Sequence, residues 1–377
     1  MSPDVLRPES EAELAAMIRG ARGPLAPVGG GTRLAPGEGQ GVRLATAGLS
    51  GVILYEPAAL TLVARAGTPL SEIEAALAAE GQRLAFEPSR FAGSTIGGVI
   101  AANASGPRRV KDGAARDSAL GVRFVDGRGE VIQSGGRVMK NVTGYDLVKL
   151  MAGSRGRLGV LTEVSLKTQP IPPASATLAL PGLDAAAAIP ALTAALTGPW
   201  DVTGAGWLPG HGALIRIEGL AGSVAGRAES LSARLGAWGE VVRAEGDVWD
   251  RLAADPAGQP PDPLPSPETA VEPDRPGRGA AAAPRSPDLW RISCRPSEAV
   301  VLLDRLPEPL SLDWGGGLIR VALPAGGTPD LTGTRAIATR LTGATPLGLP
   351  PMAPAVAALN DGLRARFDPR GLFTGAF

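Results

Sequence analysis

Residues 25–37 read LAPVGGGTRLAPG: a short apolar run, three consecutive glycines, then a threonine. Three readings compete for that much bare backbone at one spot: a plain turn, a cradle for a nucleotide phosphate, or a close approach of two chain segments. Glycine takes positive φ freely and lets successive N–H groups point into one concavity, which suits an anion. The run is not a Rossmann fingerprint, which needs G-x-G-x-x-G opening a helix, nor a Walker A loop, which needs Gly-Lys-Ser/Thr. A nest of N–H groups with the Thr32 hydroxyl could hold a pyrophosphate without any cation. Alone, the run leaves the turn equally open.

A second run changes the balance. Residues 93–109, GSTIGGVIAANASGPRR, mix Gly, Ala, Ser and Thr in a segment too small-sided to fill a core. Small residues admit backbone close to a large flat ligand, with Thr95, Asn103 and Ser105 as fixed donors and acceptors; a tight helix-packing segment is the plain alternative. A third run, GGRVMKNVTGYD (135–146), sets Lys140, Asn141, Tyr145 and Asp146 together, and a fourth, GSRGRLGVLTEVSLK (153–167), opens a strand from a glycine-rich turn. Each could be a hairpin. Four such loops separated by strands, without acid–base residues, fit an extended dinucleotide wrapped by backbone.

Composition removes other chemistries. Lys+Arg (37) balances Asp+Glu (37), so charge gives no case for nucleic acid or an anionic membrane as main partner. The single cysteine, Cys294, excludes an intrachain disulfide and a Cys-ligated iron–sulfur cluster carried by this chain alone. It sits in the strand-like LWRISCRP and reads as an inert thiol. The single histidine, His211, lies between glycines, reads as a turn residue, and rules out a His-cluster metal site. No metal is expected. With no basic-then-apolar leader pattern and no apolar stretch near the roughly 18 residues of a span, a soluble cytoplasmic chain is expected.

Along the 377 residues the pattern is α+β with two domains. Ser10 with Glu13 opens a first helix, and PLAPV is a strand ending at the glycines. Thr68, as N-cap, and Gly81, as terminator, bound a second helix. GRLGVLTEVSLKTQP is an alternating strand stopped by prolines 170, 172 and 173, which mark a domain boundary at 171/172. Residues 172–345 then read as strand, helix, strand, helix, strand with antiparallel pairing, interrupted at 254–288 by a Pro-rich stretch expected to be a disordered loop. Residues 346–377 form an amphipathic helix and a closing turn that returns to the first domain.

Pro27-x-Gly-Gly-Gly-Thr32, Thr95-Ile-Gly-Gly98 and Ala104-Ser-Gly-Pro-Arg-Arg109 together resemble the FAD-binding domain of the vanillyl-alcohol oxidase/p-cresol methylhydroxylase (PCMH) class. Within it, SGPRR, the long block from RDSALGVRFVDG through GGRVMKNVTGYD to VLTEVSLK, and the terminal RFDPRGLF resemble the FAD-binding subunits of glycolate oxidase, the GlcE type. The likeness is dense over 25–170 and thins over 172–345. It implies a two-subdomain PCMH-type FAD-binding domain over 1–171, followed by an α+β cap. Carried over by position, Pro27, Gly29, Gly30, Gly31 and Thr32 would bind the FAD pyrophosphate. Thr95, Gly97, Gly98, Asn103, Ser105 and Gly106 would line pyrophosphate and flavin; Arg116, Asp117, Gly159 and Val160 would hold the ribityl and ring portions. His211 and Cys294 lie outside these motifs, so the FAD should be non-covalent. The sequence departs from the pattern at its FTGAF end, where an Asn-Pro-Gly-like close is expected, and in the 254–288 insertion.

The resemblance further implies association with a catalytic FAD-bearing sister subunit and an iron–sulfur subunit, with any attachment to the cytoplasmic face of the inner membrane made through those partners. Oxidising a 2-hydroxy acid needs cationic recognition of the carboxylate and a base or metal at the hydroxyl. With its single histidine outside the motifs, this chain reads as a relay or assembly subunit of the complex. Two alternatives stand beside it: an autonomous dehydrogenase using Lys140, Arg108, Arg109 and Tyr145 at the flavin, and a degenerate flavoprotein kept for interaction.

Overall fold

The computed structural model describes residues 5–34, 41–137, 145–254, 286–342 and 353–374. The first domain has two sheets. A small parallel sheet orders its strands Val5–Leu6, Val42–Ala45, Leu25–Val28. An antiparallel sheet orders Val52–Glu56, Thr61–Arg65, Val160–Lys167, Ala119–Val125, Val131–Gly135.

The helix Glu11–Gly20 starts where Ser10 Oγ accepts the Glu13 N–H at 3.2 Å. It buries Leu14 and Ile18 against Leu25, Leu44, Leu372 and Phe373. The chain end thus seals the small sheet: Leu25 donates its N–H to the Leu372 carbonyl at 2.7 Å, after the helix Pro354–Phe367 has set Phe367 against Phe124. The FTGAF departure falls mostly at 375–377, outside the described residues. Leu62, Ile73, Phe86, Ile96, Ile100, Phe124 and Leu166 form the core beneath the antiparallel sheet.

Thr68 does not cap the helix Leu70–Ala79; Pro69 holds that position. The Thr68 hydroxyl, fully buried, instead accepts the Gly51 N–H at 2.9 Å and donates to the Arg65 carbonyl, tying off the preceding strand. The alternating strand itself ends at Lys167, and Gln169–Pro170 then pairs with Gln82–Arg83.

The second domain is one antiparallel sheet of eight strands, in the order Val242–Ala244, Ala174–Leu180, Gly212–Gly219, Val202–Leu208, Ser311–Asp313, Leu318–Leu323, Asp288–Ser293, Ile337–Arg340. Helices Ala185–Thr197, Ala221–Leu235 and Pro296–Leu303 contribute to its main core. The pattern reading passed over Val202–Leu208 (VTGAGWL), since Gly204 and Gly206 suggest a turn. All seven residues are buried. A Cβ on Gly204 would meet the Trp249 ring at 2.8 Å, and one on Gly206 would meet Leu252 at 2.5 Å, so these glycines make room for the helix Val248–Ala253. Most of the 254–288 stretch, 255–285, lies outside the described residues. Its far boundary needs correction: Asp288 is buried, opens a strand, and accepts the Gly326 N–H at 2.9 Å. No helix among the described residues is long and apolar enough to cross a membrane.

Candidate functional site

A cleft of about 730 Å³, including the part open to solvent, lies where the two sheets of the first domain meet. One wall runs from Pro27 to Leu34, at the end of the strand Leu25–Val28. A second comes from Thr95, Gly97, Gly98, Ala101 and Ala102, on and around the helix Ile96–Ala101. A third comes from Ser154, Arg155, Gly156 and Gly159–Leu161, leading into the strand Val160–Lys167.

Each glycine of the triple has its own reason. A Cβ on Gly29 would fall 2.3 Å from Thr95 Oγ1, and one on Gly30 would fall 1.7 Å from the Gly93 carbonyl oxygen. Gly31 has φ +71°, in the left-handed region. Two of the three competing readings therefore hold together: close approach of two chain segments builds the wall of the cleft. Across it, a Cβ on Gly97 would fall 2.7 Å from Ala66, and Thr95 Oγ1 accepts the Gly98 N–H at 3.3 Å.

The donors along the cleft define its chemistry. Among the described residues the N–H groups of Gly30, Gly31 and Thr32 find no acceptor. Ser154 Oγ is buried and finds no hydrogen-bond partner. Arg33 and Arg155 both line the cleft, and no described lining residue is an aspartate or glutamate. Unpaired N–H groups, a free hydroxyl and two guanidinium groups suit a diphosphate. Arg33 and Arg155 thus stand beside a nest for which the sequence called on no cation.

Arg33 donates to Thr32 Oγ1 at 3.1 Å, Ser94 Oγ at 2.6 Å and the Ser89 carbonyl at 2.5 Å, with Phe91 beneath it. Arg155 reaches back 122 residues to donate to the Arg33 carbonyl at 2.7 Å. Sequence reasoning missed both because each follows a glycine-rich turn and reads as a solvated arginine. Thr46, Ala66 and Leu161 were missed because small or strand residues carry no polar signal.

Of the residues carried over by position, Pro27, Gly29, Gly30, Gly31, Thr32, Thr95, Gly97, Gly98, Gly159 and Val160 line this cleft. The others stand outside its lining and hold loops in place. Asn103, at φ +47°, accepts the Arg116 N–H on Oδ1 at 3.0 Å. Ser105 Oγ accepts the Ala115 N–H at 2.9 Å, and Asp117 accepts the Ala114 N–H at 2.9 Å. Gly106 fits under the Glu87 carbonyl and accepts the Trp314 indole N–H at 3.0 Å.

Arg108 is engaged at Nε, Nη1 and Nη2 by Glu87 and Glu218. With Arg83 and Arg216 it forms a buried charge cluster that joins the two domains. Arg109 lies over the Trp314 ring at 4.5 Å, and Tyr145 is 92% exposed. Lys140 lies outside the described residues, as does most of the 135–146 run. Cys294 donates to the Gly316 carbonyl, and burial pushes its thiol up to about 11; His211 is on the surface beside Arg251.

A family model described as FAD binding domain matches residues 3–135. Glycolate oxidase subunit GlcE of Escherichia coli (strain K12) is 34% identical over 336 residues, spanning 86% of this chain and 83% of that one. This chain belongs to the GlcE family. It is an FAD-linked oxidoreductase subunit of the PCMH-type class, and its cofactor is FAD.

Glycolate oxidase subunit GlcD of Bacillus subtilis (strain 168) is 35% identical over 161 residues, 42% of this GlcE-family chain and 34% of the GlcD chain. In three dimensions, a structure of alkyldihydroxyacetonephosphate synthase superposes with a TM-score of 0.62 at 15% identity, covering 98% of this chain and 76% of that one. That likeness is one of fold: helices and antiparallel sheets, with no barrel.

Proposed function

We propose that this chain is the FAD-binding subunit of a glycolate, or closely related 2-hydroxy acid, oxidase. In this reading it holds FAD in the cleft between its two sheets and relays electrons or supports assembly, while a sister flavin subunit oxidises the substrate. One observation carries the proposal. The described lining of the cleft contains no His, Asp, Glu, Lys, Cys or Tyr, so it offers no group to take the hydroxyl proton of a 2-hydroxy acid.

The bound flavin would supply redox chemistry. The chain's own residues would supply the nest at Gly30–Thr32 for the diphosphate, the Cβ-free wall at Gly97 and Gly98, and the Ser154 hydroxyl. With one cysteine, the chain has no ligand set for an iron–sulfur cluster of its own. Electrons leaving it through such a cluster would pass to a partner that carries one, which supports a heteromeric complex of three kinds of subunit.

Purification from native cells under mild conditions tests the assembly. The expected result is co-elution with a flavin-bearing subunit and an iron–sulfur subunit, and glycolate-dependent dye reduction that needs the flavin-bearing partner. Recovery of this chain alone, fully active on glycolate, would overturn the reading.

A further inference from the structure

Arg109 is the odd cation of the domain junction. Its neighbours Arg83, Arg108 and Arg216 are each paired with Glu87 or Glu218. The Arg109 guanidinium is half-buried, and among the described residues it meets no hydrogen-bond acceptor and no carboxylate at ion-pair distance. Burial, with the charge of Arg116 adding and Asp117 opposing, pulls it below the usual arginine range. Taking a charge out of water costs free energy that a counter-charge offsets, and the fold supplies Arg109 with none in contact.

What it meets is an indole. The Trp314 ring lies 4.5 Å from Arg109, and Arg291 lies over the same ring at 5.4 Å. Strained backbone holds that ring: Trp314 takes φ +54°, and Gly315 and Gly316 follow at +65° and +95°. The Trp314 N–H donates to buried Asp313 Oδ1 at 2.7 Å, and its indole N–H donates to the Gly106 carbonyl at 3.0 Å. The second domain thus sets a fixed aromatic wall against an unpaired cation of the first.

We propose that Arg109 and Trp314 form a binding site for the carboxylate of a small organic acid, and that this site recognises the 2-hydroxy acid or its 2-oxo product. The choice of acid rests on the proposed function. A planar guanidinium matches both oxygens of a carboxylate at once, and the indole face gives a short carbon skeleton an apolar wall. A singly charged carboxylate is favoured over a doubly charged phosphate, because the charge of Asp117 bears on the same guanidinium. Neither Arg109 nor Trp314 is among the residues lining the FAD cleft.

The test titrates the full chain, with FAD bound, by calorimetry against glycolate and glyoxylate. Glycolamide serves as the uncharged control and inorganic phosphate as the competing anion, with flavin absorbance followed in the same solutions. The expected result is saturable binding of both acids, about 10-fold or more tighter than glycolamide or phosphate. Arg109→Gln should weaken acid binding by about 10-fold or more and keep its FAD content. Arg109→Lys should lie between, since it keeps the charge without the fork.

Unchanged acid binding in Arg109→Gln would overturn the site. So would equal affinity of the wild-type chain for glycolate and glycolamide, or for glycolate and phosphate, and these comparisons hold even if the variant fails to fold. Absent acid binding, with partner co-elution lost in Arg109→Gln, would overturn it in favour of a partner's carboxylate at the same guanidinium. Reduction of the flavin during the titration, with binding that still needs Arg109, would support the site and overturn the relay reading.

Discussion

The carbonyl oxygen of Gly93 stands 1.7 Å from where a Cβ on Gly30 would be. The nest loop and the loop before Thr95 are therefore in backbone contact, and the triple glycine shapes the cleft before any ligand enters it. Gly30→Ala must push two backbones apart, at a cost on the order of 1–3 kcal/mol from overpacking. Gly98→Ala is the informative contrast: its Cβ meets only Thr95 Oγ1, at 3.3 Å, in a helix that prefers alanine. Gly30→Ala should lose both melting temperature and flavin. Gly98→Ala should keep its melting temperature and bind FAD about 3- to 10-fold more weakly, since the methyl adds bulk to the cleft wall. Flavin content and thermal melts on both variants check this, and full FAD affinity in Gly98→Ala would count against the cleft.

Glu218 is the acid on which the domain junction turns. Although burial raises it, hydrogen bonds and charge from Arg108, with Arg216 and Arg83 adding, hold its carboxyl down at about 2. A depressed carboxylate contributes stability above its unfolded pKa near 4.5, and that stability is lost as pH falls through the folded value. The shift corresponds to roughly 3 kcal/mol at neutral pH, lost between about pH 5 and pH 2. Glu218→Gln should therefore be strongly destabilised at pH 7, by about 3–5 kcal/mol, with the gap to wild type closing towards pH 2–3. Chemical denaturation across that range measures it.

Asp313 behaves in the opposite sense. It is fully buried; its Oδ1 accepts the Trp314 N–H at 2.7 Å, and its Oδ2 finds no hydrogen-bond partner. Burial pushes the carboxyl up to about 7, Arg320 and Arg216 opposing and Glu87 adding. A raised carboxyl makes the folded state the better proton binder between about pH 4 and pH 7, so its contribution to stability falls across that window. Asp313→Asn keeps an acceptor for Trp314 and removes the buried charge. It should be more stable than wild type at pH 8, by up to about 4 kcal/mol, and no more stable at pH 4. Melts at the two pH values decide it.

Cys294 is a thiol held near 11 and hydrogen-bonded to Gly316, and His211 sits on the surface by Arg251; neither lines the cleft. FAD should therefore come away completely on acid precipitation, leaving no fluorescent band on a denaturing gel. Flavin retained by the precipitated chain would contradict non-covalent binding.

The site was legible where chemistry is written in local sequence. Pro27–Thr32, Thr95, Gly97 and Gly98 were marked by glycine density, Gly159 and Val160 by the family resemblance, and all of them line the cleft. Asn103 and Ser105 were marked for their polarity and Asp117 by the family resemblance, but their side chains are taken up by backbone N–H groups in the loops around them. Nothing local distinguishes a donor serving a loop from one serving a ligand. Partners far apart in sequence were not legible at all. Trp314 reaches Gly106 across 208 residues and Arg216 reaches Glu87 across 129, and only the folded chain brings them together. The strand Val202–Leu208 was hidden because its glycines answer to Trp249 and Leu252, not to a turn.

The central claim is that this flavin subunit does not itself oxidise the hydroxy acid, because the described lining of its cleft offers no proton acceptor. Holo-protein isolated without partners and mixed anaerobically with glycolate measures this directly, through the visible flavin absorbance followed in a stopped-flow cell. The account predicts an oxidised spectrum that persists over the turnover time, and bleaching only when the flavin-bearing partner is added. Rapid reduction of the flavin in the isolated chain, abolished by Lys140→Met with FAD still bound, would contradict it.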